Sequence, residues 1–200
     1  MRGEVPQRRN NIMNSKIHNN IIVSVFGSSH PKEGNNEYSL AYEVGSELAT
    51  AGFTVCNGGY GGTMEASARG AKTAGGKTIG IISKSFVGRK ANQWIDTTIE
   101  VNDMVERLLK LVSVADAYVV LKGGTGTLLE LAAVWEFMNK NVILEKPIVV
   151  VGNFWDSVVK TLHDELVWEG SEDATQFVTA VDNPKQCAEF LRQKLQRKEE

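Results

Sequence analysis

Apolar, β-branched runs alternate with longer stretches of helical period along almost the whole chain, and this alternation limits the fold more than any other feature. The runs are 21–27 (IIVSVFG), 53–59 (FTVCNGG), 77–83 (KTIGIIS), 97–102 (TTIEVN), 115–123 (ADAYVVLKG), 146–152 (KPIVVVG) and 177–181 (FVTAV). They are too uniformly apolar for strands with one face in water, and suit a parallel sheet covered on both faces. Helical periodicity fills 36–51, 62–74, 103–114, 126–139, 154–167 and 184–197. The pattern predicts a doubly wound, three-layer α/β sandwich with a mainly parallel sheet of about seven strands. No internal repeat and no linker rich in proline, glycine or serine divides the chain, so residues 19–200 read as one domain. Residues 1–18, basic and rich in asparagine, read as a loosely ordered extension.

Charge and cysteine content narrow the function. The 200 residues carry 22 basic and 24 acidic side chains, a net charge of −2, so no global field favours nucleic acid or an anionic membrane. Any anion site must be local. Cys56 and Cys187 stand far apart with no CxxC, which suits a reducing compartment, and a cytoplasmic location is expected. No stretch approaches the roughly 20 apolar residues of a membrane span. The three histidines have no neighbours at ligand spacing and GxSxG is absent, so neither a metal centre nor a serine hydrolase site is expected.

In a doubly wound sheet, ligands bind beyond the carboxyl ends of the strands, where loops feed helix N-termini. Three glycine-bearing segments fall there: Gly27-Ser28-Ser29, the NGGYGGTME segment with Gly58, Gly59, Gly62 and Met64, and the KGGTGTLLE segment. In the last, Gly123, Gly124, Thr125, Gly126 and Thr127 supply free amides, close backbone approach and hydroxyls suited to a phosphate. Lys122 precedes this loop, so it is no P-loop, and GxGxxG cannot be laid on its glycines. Glu130 has two readings. Thr127-x-x-Glu130 spells a capping box, whereas a free carboxylate there would face a substrate. The glycines of the second segment serve equally a tight turn or an approaching ligand. Glu106 and Arg107 open a helix, where a cation opposes the helix dipole and an anionic ligand would explain it. Arg89 and Lys90, in a loop after the third strand, are further phosphate candidates.

Together these segments resemble the Lonely Guy (LOG) family, many of whose members once carried the label lysine decarboxylase. The matching residues are Gly27 to Ser29, the GGxxGxMxA stretch Gly58 to Ala66, the Glu106-Arg107 pair, and GGxGTxxE from Gly123 to Glu130, spanning about residues 20–155. The resemblance implies a Rossmann-like, homodimeric enzyme that hydrolyses the N-glycosidic bond of a nucleoside 5'-monophosphate, AMP or an N6-modified cytokinin nucleotide. Free base and ribose 5-phosphate are the products, with no metal or redox cofactor. It implies that Glu130 and Arg107 are the catalytic pair and that the glycine–threonine loop holds phosphate. Lys122 stands where the family has proline, and Leu108 where it has lysine. The same fold also serves non-catalytic carriers of the molybdenum cofactor, the alternative reading.

Overall fold

The computed structural model describes residues 21–196, and the expected extension over 1–18 lies outside them. Seven strands form one sheet: β1 (Ile22–Phe26), β2 (Thr54–Asn57), β3 (Thr78–Ser83), β4 (Thr97–Val101), β5 (Ala117–Val120), β6 (Ile148–Val151) and β7 (Val178–Val181). All pair in parallel, in the order β4-β3-β2-β1-β5-β6-β7. Six helices connect them: α1 (Asn36–Thr50), α2 (Thr63–Thr73), α3 (Met104–Val114), α4 (Thr125–Asn139), α5 (Asp156–Trp168) and α6 (Pro184–Gln196). A short 3-10 turn, Glu172–Phe177, precedes β7. The Rossmann-like, three-layer expectation is therefore met, and every expected strand and helix is present within a few residues.

Successive side chains of a strand point to opposite faces. Val23 and Val25 of β1 and Ala117 and Val119 of β5 accordingly enter the core under α1, α2 and α6. Phe26, Tyr118 and Val120 enter the second core under α3, α4 and α5. Every residue of β2, β5 and β6 is buried, the reason these runs carry no polar alternation. The buried Ser24 hydroxyl donates to the Leu111 carbonyl at 2.9 Å, and Tyr118 donates to Val112 at 2.8 Å, so the polar groups on this face are satisfied.

Helices α1 and α2 pack through small residues. A methyl group on Gly45 would collide with the Ser67 backbone, and one on Gly70 with the Tyr42 carbonyl. Each glycine thus admits the other helix's main chain. Gly70→Val is expected to lower stability by about 1–3 kcal/mol through overpacking, read as a lower urea midpoint with an unchanged slope.

The topology places a crevice between β1 and β5. From β1 the chain goes to α1 on one face and from β5 to α4 on the other, so the loops after these neighbouring strands part there. The link from β3 to the edge strand β4 differs from the others, because residues 84–96 contain no helix.

Candidate active site

A cleft of about 300 Å³ opens at this crevice. Its floor and walls come from Gly27, Ser28, Ser29 and His30 after β1, Tyr60 and Met64 beyond β2, and Phe86 and Arg89 from the loop after β3. Met104 and Arg107 of α3, and Gly124 to Thr127 with Glu130 of α4, complete it.

The α4 start has the character of an anion cradle. Its first helical bond runs from the Leu128 amide to the Gly124 carbonyl, so the amides of Thr125, Gly126 and Thr127 have no acceptor within the helix. A methyl group on Gly124 or Gly126 would meet nothing within 4 Å, which leaves their backbone open to a ligand. Gly123 has another use, since the Thr127 side chain fills the space its Cβ would take.

This start also resolves the two readings of Glu130. Gly124 is the N-cap, with no side-chain cap bond, so Thr127 already lies within the helix and the capping box does not form. Glu130 projects into the cleft without a hydrogen-bond partner among the described residues. Burial pushes its carboxyl up to about 7, opposed by the positive charge of Arg107. Arg107 is anchored rather than mobile. Its Nε donates to the Ile81 carbonyl at 2.8 Å, a terminal nitrogen lies 3.7 Å from Met64 Sδ, and the guanidinium sits 5.5 Å from the Tyr60 ring centroid. Burial lowers its pKa, and the Glu130 charge opposes that shift. The pair presents one carboxyl titrating near neutrality beside a fixed cation.

The turn after β2 holds this arrangement from below. Buried Asn57 accepts the Gly59 amide at 2.8 Å and donates to the Met64 carbonyl at 2.8 Å. The Tyr60 hydroxyl accepts the Ser83 amide at 2.9 Å, fixing the ring against the cleft. Gly58 lies directly under the Arg107 guanidinium, and Gly62, at φ 72°, lets the Ser28–Ser29 backbone pass where a side chain would collide.

With this geometry in view, a family model described as the SLOG cluster4 family matches residues 20–188. The chain belongs to that family. A cytokinin riboside 5'-monophosphate phosphoribohydrolase of Mycobacterium tuberculosis is 40% identical over 133 residues, 64% of this chain and 69% of that one. A probable enzyme of the same name from Oryza sativa subsp. japonica is 30% identical over 176 residues, 84% and 71% of the two chains. Among solved structures, the molybdenum cofactor binding protein of Rippkaea orientalis aligns with TM-score 0.69 and 26% identity over 89% of this chain and 99% of that one.

Not every residue singled out in the sequence of this SLOG protein lines the cleft. Gly58, Gly59, Gly62 and Gly123 shape it from behind. Lys122 is drawn away to α1, pairing with Glu37 at 2.7 Å. Leu108 packs into the core under α3. Glu106 does not line the cleft and takes part in a capping arrangement: its carboxylate accepts the Asn102 amide at 2.9 Å, while Asp103 accepts the amides of Val105 and Glu106. Asp103→Ala is expected to cost about 1 kcal/mol of stability in a denaturant titration. Sequence reasoning missed His30, Tyr60, Phe86 and Met104 as lining residues. His30 directly follows Gly-Ser-Ser and Tyr60 sits inside the glycine turn, so both had a positional signal; Phe86 and Met104 had none. Among the described residues no three histidine, cysteine or acidic side chains gather as a metal site would require.

Proposed function

We propose that this cleft hydrolyses the N-glycosidic bond of a nucleoside 5'-monophosphate, AMP or an N6-modified AMP, releasing free base and ribose 5-phosphate. The observation that carries the reading is Glu130, a carboxyl unused by its helix and pushed up to about 7, beside Arg107 and 1.5 turns into a helix whose first amides are free. Phosphate anchors at Gly124–Thr127, which fixes C1' relative to the carboxylate. As the base departs, positive charge grows on the ribose; ionised Glu130 stabilises it and orients the attacking water, in the manner of oxocarbenium chemistry. Arg107 holds the substrate and polarises the reacting groups. The phosphoribohydrolase names of the relatives support this reading.

The test is to incubate the purified protein with AMP and with N6-isopentenyl AMP, following base release for the natural chain and for Glu130→Gln. Release that the substitution abolishes supports hydrolysis. The likeness to the Rippkaea orientalis protein favours a second reading, a carrier of phosphorylated pterin. No release from any nucleotide, with tight pterin-phosphate binding, would replace the first reading by this one.

The working unit in this proposal is a homodimer. Met104, Val105 and Leu109 of α3, Leu128 and Leu129 of α4, and Val142 beyond it are all exposed. They adjoin the cleft, since Met104 lines it and Leu129 precedes Glu130. A second copy seated here buries both patches by two-fold symmetry. Light scattering is expected to give a dimer mass, and Leu109→Asp a monomer mass; a monomeric natural chain counts against the interface.

A further inference from the structure

Past Tyr60 the cleft continues into a second chamber of about 450 Å³. Ser29, His30, Tyr60 and Arg89 line both spaces, while Lys90 and Asn92 line only the second. Its chemistry differs from that of the first. Two permanent cations and an imidazole face it, and its lining contains no carboxylate. Glu65, which lies beside Gly61, is within 3.4 Å of the Tyr38 hydroxyl. Among the described residues neither Arg89 nor Lys90 has an acidic partner.

The wall that carries these cations is pinned in place. The Asn92 amide donates to the Gly59 carbonyl at 2.8 Å, and its side chain donates to Gly59 at 3.1 Å and Tyr60 at 2.8 Å. The Arg89 amide donates to Phe86 at 3.0 Å, and its guanidinium sits 5.9 Å from the Tyr60 ring centroid and 5.7 Å from that of Phe86. Tyr60 and Phe86 meet edge to face at 5.6 Å, and the Arg107 guanidinium packs on the same two rings. Arg107 lines only the first space, whereas Arg89 is shared by both.

We propose that the substrate of this SLOG protein is a nucleoside monophosphate bearing a second anionic group, which the chamber binds through Arg89, Lys90 and His30. The proposal rests on the nucleotide reading above and names its substrate class. A planar guanidinium with an ammonium beside it matches a carboxylate or a phosphate, both of which accept charge-assisted hydrogen bonds. An isoprenoid substituent in the same space would take no hydrogen bond from these exposed cations, so they would add nothing to its binding. The second anion has two chemical sources, a carboxylate on the base's N6 substituent or a phosphate on the ribose.

Calorimetry on Glu130→Gln, which keeps the cleft but removes the carboxylate, decides between them. The ligands are AMP, N6-isopentenyl AMP, N6-carboxymethyl AMP and adenosine 3',5'-bisphosphate. One of the last two is expected to bind at least about tenfold more tightly than AMP. Adding Arg89→Ala and Lys90→Ala should abolish that difference, with an unchanged thermal melt as the check on folding. Whichever of the two gains identifies the source of the anion. Equal binding of all four ligands, or tightest binding of the isopentenyl nucleotide, overturns the proposal. The failures separate cleanly: base release from AMP without any gain for the ligands with a second anionic group removes the chamber's role alone. A gain for those ligands without base release from any nucleotide by the natural chain removes hydrolysis alone.

Discussion

Glu130→Gln is expected to lower the rate of base release from AMP by about 10²–10⁴-fold, the range for loss of a positioned acid or base, with KM changed far less. The natural chain should lose kcat/KM as pH falls through about 7, because the ionised carboxylate is the working form and burial has raised its pKa to that value. The same shift has a consequence for stability, of defined sign. A carboxyl whose folded pKa lies above its unfolded value near 4.5 binds its proton more tightly in the folded state. Its contribution is therefore most favourable below 4.5, declines as pH rises, and is lost above about 7. At pH 8 the ionised, partly buried Glu130 costs on the order of 2–3 kcal/mol. Glu130→Gln should thus be more stable than the natural chain at pH 8 and nearly equal to it at pH 4. Denaturant titrations at the two pH values check this; a variant less stable at pH 8 would show that Glu130 is held by interactions that favour its charge.

Arg107→Lys is expected to lose about 10²–10³-fold in kcat/KM despite keeping the charge, comparable to the loss of one oriented donor at a reacting centre. The reason is geometric. Arg107 uses its Nε to hold the Ile81 carbonyl and places its guanidinium over the Tyr60 ring, and an ammonium cannot do both while also reaching the cleft. Gly58→Ala should mimic this effect from the other side, because the new methyl group collides with the guanidinium and with Met64 Sδ. Initial rates against substrate concentration, with far-ultraviolet circular dichroism to confirm the fold, test both. Full activity in Arg107→Lys would reduce the arginine to a simple point charge.

The sheet was legible because burial on both faces leaves a direct mark on sequence: β2, β5 and β6 have no exposed position, and their runs have no polar alternation. The glycine-rich start of α4 was legible for a related reason, since every helix start leaves its first amides unpaired and glycines there leave the backbone open to close approach. Glu130 was harder. Thr127-x-x-Glu130 and Asp103-x-x-Glu106 are the same spacing pattern, yet only the second caps a helix. The helix containing Glu130 begins earlier, at Thr125, and no local rule reveals that shift. Lys122 illustrates a different limit. Its partner Glu37 lies 85 positions away, so its removal from the cleft is visible only once β5 and α1 are side by side. The aromatic wall of Tyr60 and Phe86 likewise depends on a meeting of two loops distant in sequence.

The missing helix between β3 and β4 carries an evolutionary consequence. A crossover helix must match the core it covers, so its length and composition are constrained by packing. Residues 84–96 cover no such core, and Phe86 and Ala91 pack only with the small cluster of Tyr60, Met64 and Ile82. Insertions or charge changes there alter what the cleft admits while leaving both main cores intact. The groups at the start of α4 and those on the loop after β3 can therefore vary separately within one fold.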